Sequence, residues 1–423
     1  MRGMGPEPTA ESLSMPRLPS REEYWDYFEG WQSGAWSADI RSHRTPVVKS
    51  FLVETVRTGD KNPTPQEMLR QAGAFVEPVD DTLFRVASAP GADPWALAEV
   101  IDHRFFALYT TLPVKDVRPR VRALVDGCVW LDRVWISRPV FEQLWEHVKA
   151  RCAPHRYVKL SFEYDARYEV EGREPNDGCQ PESDPDEEAD ERSQDTALPE
   201  RRSARCTLLD RLREVQEKID RLRDIYRPFH SIIQLRIPAS GRGGHDFYFD
   251  GQVTNRSDSF ADHRQQLSYV LELYRRTTEK AEDILWTRLD GGPEGLLAQG
   301  APVLMQFAEP LPEDVFKRWV NSIFRRRNNA FRLWGHPIEG GPDTVHVYGI
   351  DRHLWQRIYL EFARGHLLAF LPEGTCGNTV HRLVTNVQRL IDPAVKVWIG
   401  NLPYEAVVAT EPRPGRVDGG PRR

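Results

Sequence analysis

An α+β fold, with mostly antiparallel sheets and helices on one face, is what three observations predict for this chain of 423 residues. Runs such as SIIQLRIP (231–238) and TVHVYGI (344–350) alternate apolar and polar residues, the period of a half-buried strand. Asp250-Gly251 lies between two such runs and is the residue pair that a tight hairpin turn demands. Two helical stretches keep apolar residues at 4-3 spacing: Leu208, Leu212, Val215, Ile219, Leu222, Tyr226, and then Leu267, Leu271, Tyr274, Thr278, Ala281, Leu285. Strands and helices mix without regular βαβ alternation, which favours α+β over α/β.

The elements follow in order. Residues 1–19 and 409–423 are rich in Pro, Gly, Ser or Arg and read as a disordered lead and tail. A first unit spans 20–154. Ser20-x-x-Glu23 is a capping box, and the helix it opens repeats Tyr24, Trp25, Phe28 and Trp31 at helical spacing, which suits docking on the chain's own core. Strands at 84–88, 105–111 and 128–137 then alternate with helices at 114–124 and 138–149. A middle unit, 155–300, holds a strand at 157–168, an acidic insert over 169–204, the two 4-3 helices and the hairpin between them. At under four heptads those helices suit packing on a sheet better than a coiled coil, though a coiled coil would also serve a homo-oligomer. The last unit, 301–408, reads strand 303–307, helix 312–325, strands at 331–335, 344–350, 357–362 and 366–371, helix 379–391 and strand 395–400. That order approximates a ferredoxin-like, split βαβ unit with an extra strand.

Charge divides the chain. The tract Glu169–Glu200 has 13 Asp/Glu against 2 Arg, or −11, while the whole chain sums to −6. The remainder therefore carries 55 Lys/Arg against 50 Asp/Glu, a basic body beside an acidic, disordered insert that competes for its basic face. No apolar lead follows the first Arg, and no apolar run is long enough to span a bilayer. The expected setting is cytoplasmic, with no membrane partner. Five widely spaced cysteines without a C-x-x-C pair argue against a disulfide framework and against a zinc site built from cysteine pairs.

Three constellations carry candidate chemistry. Lys317–Trp334 has six basic residues and no acidic one; Lys317, Arg318, Arg325, Arg326, Arg327 and Arg332 are candidates for phosphate contacts, with Trp334 stacking a base. Cys376 and Arg382 stand C-x5-R between a strand and an amphipathic helix, which resembles the phosphate loop of the protein tyrosine phosphatases but departs from it at Thr375, Gly377 and Leu383. His245, Asp246 and His263 gather around the hairpin, where imidazole and carboxylate suit a divalent metal. No cofactor beyond such a metal is predicted. Nucleophile elbows, H-E-x-x-H, kinase signatures and EF-hand loops are absent from the sequence. The reading is a non-enzymatic binding or accessory protein whose basic C-terminal face meets nucleic acid or an acidic protein partner, with the acidic insert as regulator. The alternatives are a phosphate-acting hydrolase or nuclease using the His/Asp junction or Cys376, and a structural subunit of an oligomer.

Overall fold

The computed structural model describes residues 14–37, 47–55, 63–168, 204–292, 295–325, 329–341 and 343–409. The acidic tract, the first thirteen residues and the tail from 410 lie outside them. The first part of the chain runs α1 (Arg21–Ser37), β1 (Lys49–Thr55), α2 (Pro65–Gln71), β2 (Phe75–Pro78), β3 (Leu83–Ala87), β4 (Ala96–Val100), β5 (Phe105–Thr110), α3 (Val114–Gly127), β6 (Leu131–Arg133) and α4 (Arg138–Arg151). It continues through β7 (Tyr157–Tyr164), β8 (Ala204–Arg211), α5 (Leu212–Ile225), β9 (Ile232–Pro238), β10 (Gly244–Tyr248), β11 (Gln252–Asn255) and α6 (Phe260–Leu285). These strands form one sheet in the order β2-β3-β4-β5-β1-β11-β10-β9-β7-β8, with β6 on β1. Stretches 20–154 and 155–300 thus share a single sheet, joined where β1 pairs with β11.

The small hairpin β12 (Arg288–Gly292) and β13 (Gly295–Gln299) precedes the last unit. There β14 (Val303–Gln306), α7 (Glu313–Arg325), β15 (Leu333–Gly341), β16 (Thr344–Asp351), β17 (Gln356–Ala363), β18 (His366–Phe370), α8 (Asn378–Leu390), β19 (Lys396–Ile399), β20 (Leu402–Pro403) and α9 (Tyr404–Val408) follow. The second sheet runs β15-β16-β17-β18-β14-β19-β20, and every ladder among the described residues is antiparallel. Nothing in this order conflicts with the split βαβ expectation; β15 and β16 extend its edge.

Local chemistry explains the elements. The amide of Glu23 donates to Ser20 Oγ at 3.2 Å, capping α1, and Tyr24 and Phe28 enter the core. Gly251 takes φ +76, and a Cβ there would fall 2.8 Å from the Val134 carbonyl, so the predicted turn needs glycine twice over. One expectation changes: Leu208 belongs to strand β8, and the helix starts at Leu212. Cys206 and Leu208 alternate with the exposed Leu209, a strand period that the 4-3 spacing had masked. The seam of α6 (Leu267, Leu271, Tyr274, Thr278, Ala281, Leu285) is fully buried in the core, as packing on a sheet requires. Among the described residues, no helix is long and apolar enough to cross a membrane.

Candidate functional site

Among the described residues, the second sheet is covered on one side only. Leu333, Val347, Ile358, Leu360, Phe362, Leu367, Ala369, Val303, Met305, Val397 and Ile399 are buried, and the apolar stripe of α7 (Phe316, Trp319, Val320, Ile323) joins the same core. Alternation along each strand sends their neighbours outward. The register places His336, Tyr348, Tyr359 and Phe370 in one row across four strands, with Trp334 beside Ile350 and Arg357 in the next. On the other flank runs Ile338, His346, Glu361, Leu368, Leu304 and Trp398. Tyr348 is 68% exposed and Trp334 56%, and the Tyr348 and Tyr359 rings meet edge to face at 5.3 Å. Arg357 and Lys396 are exposed on the same face, and Glu361 lies between His346 and His366. This is a broad aromatic platform of the kind that interaction sites use.

The basic stretch of α7 is arranged differently from expectation. Lys317 pairs with Glu313 and Arg318 with Asp314 one turn away, and Arg318 Nε also donates to the Tyr168 carbonyl at 2.6 Å. Arg326, Arg327 and the side chain of Arg325 lie outside the described residues. Arg332 is corrected: it is only 5% exposed, at φ +53, and donates to the carbonyls of Leu131 (2.7 Å) and Val125 (3.0 Å) and to Asp132. A guanidinium so enclosed cannot meet a polyanion. Of that set, Trp334 belongs to the open face.

Between the two sheets lies a buried charged seam, and α8 forms its spine. All of α8 is buried, its polar face included. Arg382 donates from Nε to the Phe331 carbonyl (2.9 Å), from Nη2 to Asp351 (2.5 Å) and from Nη1 to Asp132. Burial would raise the Asp132 carboxyl, but Arg382 and Arg332 outweigh it and hold it far below the usual carboxylate range. At the start of α8, Arg104 bridges Glu54 (2.6 Å) and Glu282 (2.6 Å), while Glu282 accepts the Gly377 amide at 2.8 Å. Gly377 allows this approach, since a Cβ there would sit 2.7 Å from the Thr278 carbonyl. Cys376 Sγ lies 3.5 Å from Glu54 Oε1 and 3.4 Å from Arg104 Nη2.

The phosphate-loop expectation for Cys376 and Arg382 therefore fails on physical grounds. The helix start already holds the chain's own carboxylate, Glu282, and Arg382 is neutralised by two more. Burial, with Glu54 beside it, pushes the Cys376 thiol well up and away from a nucleophilic thiolate.

The hairpin histidines do meet, without forming the expected metal set. His263 Nε2 is 2.8 Å from Ser50 Oγ, the two Nδ1 atoms are 3.2 Å apart, and His245 Nε2 is 2.7 Å from Asp262. With both imidazoles neutral the chain runs one way: Ser50 donates to His263, His263 to His245, and His245 to Asp262. Burial would raise Asp262, but bonds from His245 and Ser240 keep it at about 2. Asp246 points to the other side of β10, bound by Arg236 at 2.6 and 2.8 Å. Every ligating nitrogen of the pair is thus already bonded within the protein.

Sequence reasoning missed Glu54 and His353, which stand beside Cys376. One carboxylate oxygen of Glu54 and one imidazole nitrogen of His353 lie within 4.8 Å of one another and of the sulfur. The three residues are drawn from widely separated segments, and no spacing rule connects them.

Fold and geometry define the class first: an α+β protein of two antiparallel sheets, with one open aromatic face and a charged seam buried between the sheets. The chain belongs to the MJECL33-like family, whose model matches residues 39–405. It is similar to the uncharacterized protein MJECL33 of Methanocaldococcus jannaschii, with 29% identity over 149 residues, covering 35% of this chain and 34% of that one. The chain thus matches about a third of that relative's length. No solved structure matches it.

Proposed function

We propose that this is a non-enzymatic binding protein that stacks the bases of single-stranded nucleic acid on the open face of its C-terminal sheet. The observation that carries the reading is the row of Tyr348, Tyr359 and Phe370 with Trp334 at its flank. Every base has a π-face, and aromatic stacking contributes about 1–3 kcal/mol per base without regard to sequence. Arg357 and Lys396 on the same face suit the phosphates between stacked bases. The acidic tract, at −11, repels nucleic acid and attracts the cations that bind it, which supports a regulatory role.

The test is binding of labelled single-stranded and double-stranded RNA and DNA across a salt series. It compares the intact chain, Tyr348→Ala and a variant lacking residues 169–200. Expected are a preference for single strands, a loss of about tenfold or more in Tyr348→Ala, and tighter binding without the tract. Equal binding by the intact chain and Tyr348→Ala, or none by either, removes nucleic acid from the face; capture of an acidic protein there instead would make that protein the occupant.

A further inference from the structure

We infer that Glu54, His353 and Cys376 form a binding site for a divalent transition-metal ion of the zinc class, joining the two sheets. This inference stands apart from the proposed binding function. Glu54 is near the end of β1, His353 follows β16, and Cys376 precedes α8; exposure is 0%, 1% and 1%. Carboxylate oxygen, imidazole nitrogen and sulfur are the donor set such ions take.

Two atoms of these side chains that can serve as donors are buried with nothing to bond. Glu54 Oε2 and His353 Nε2 have no hydrogen-bond partner in the protein. His353 Nδ1 is 3.2 Å from the Val129 carbonyl, so the proton sits on Nδ1 and Nε2 presents its lone pair. Glu54 Oε1 is held by Arg104 Nε at 2.6 Å, and Cys376 Sγ accepts the Asn378 amide at 3.4 Å. Each ligand is thus oriented by a second bond, as metal ligands generally are. Ligand atoms around a tetrahedral zinc ion are roughly 3.3–3.8 Å apart, so the three donors need to draw in by only about 1 Å.

Charge agrees. Around the site, the guanidiniums of Arg104, Arg332 and Arg382 face the carboxylates of Glu54, Glu282, Asp132 and Asp351. With Glu54 ionised and the Cys376 thiol proton given up to solvent as the ion binds, two negative charges are in excess. A divalent cation cancels them.

The first measurement uses the intact chain, stripped with a chelator and titrated with Co²⁺. The expected result is one equivalent taken up, with visible absorption of tetrahedral intensity and a thiolate-to-cobalt charge-transfer band. Cys376→Ser should lose the charge-transfer band, and His353→Gln should weaken uptake by more than about tenfold. Near-ultraviolet circular dichroism checks that both variants fold. Failure of the intact chain to take up stoichiometric Co²⁺ or Zn²⁺ overturns the site and makes a buried water the occupant, and this outcome depends on no variant. A charge-transfer band that persists in Cys376→Ser overturns it equally.

Discussion

Helices α7 and α8 belong to the same unit, and both are strongly amphipathic, yet their polar faces meet opposite fates. On α7 the polar face is exposed, and its charges pair one turn apart, Lys317 with Glu313 and Arg318 with Asp314. On α8 the polar face is as buried as the apolar one, and Arg382 is fixed by Asp132 and Asp351, neither of which is on the helix. Polar periodicity alone thus marks which side avoids the apolar core and leaves open what that side meets. A second sheet bringing matching charges can take the place of water.

The largest break in this contrast comes from Arg382→Met. Removing one partner strands Asp132 and Asp351 in the interior, which costs about 3–5 kcal/mol. The expected result is a large drop in the urea midpoint or failure to fold. A stable Arg382→Met variant would mean that solvent reaches the seam.

An intermediate effect comes from acid. Burial, with Arg104 nearby, lowers His381 to about 3, and burial, with His245, holds His263 well below its ordinary value. Both are neutral when folded and protonate more readily when unfolded. Their contribution is complete above the unfolded value of about 6.5 and is lost as pH falls toward the folded values. Each neutral histidine should therefore cost up to about 1.4 kcal/mol per pH unit below about pH 6. Urea midpoints measured from about pH 7 to about pH 5 should fall, and His381→Gln should flatten the slope; a flat profile in the intact chain would sink this account.

The smallest effect belongs to α7. Lys317→Ala should leave the midpoint unchanged, since both partners are exposed and screened. A measurable loss would give that face a partner within the fold and weaken the contrast with α8.

Much of the architecture was legible, because strand alternation and helical periodicity are local. The Asp250-Gly251 hairpin, α6, α7 and the β16–β18 meander lie where their patterns place them. Strand β1 was not legible: every residue of KSFLVET is buried, so the alternation that would announce it is missing. The hairpin β12–β13 lies in a glycine-containing stretch for which the sequence pattern predicts no strand. The candidate site was legible only in fragments. His245 and His263 do touch, but the partners that complete them, Ser50 and Asp262, decide that they form a hydrogen-bond chain. Cys376 is marked in the sequence only by its C-x5-R spacing to Arg382, whereas its neighbours Glu54 and His353 reach it only through tertiary folding. Arg332 looked like a surface cation because its inward turn rests on a left-handed backbone angle that composition does not reveal.

The pairing of Tyr164 with Ala204, at one end of the β7–β8 ladder, bears on how the acidic insert can act. The chain leaves the sheet and rejoins it at a neighbouring position, so in the proposed regulatory role the insert acts as a ligand tethered at both ends. A tether of this kind sets an effective concentration on the order of millimolar for any cationic surface within reach. Diluting the protein does not weaken such competition. Salt, or excision of the insert, does.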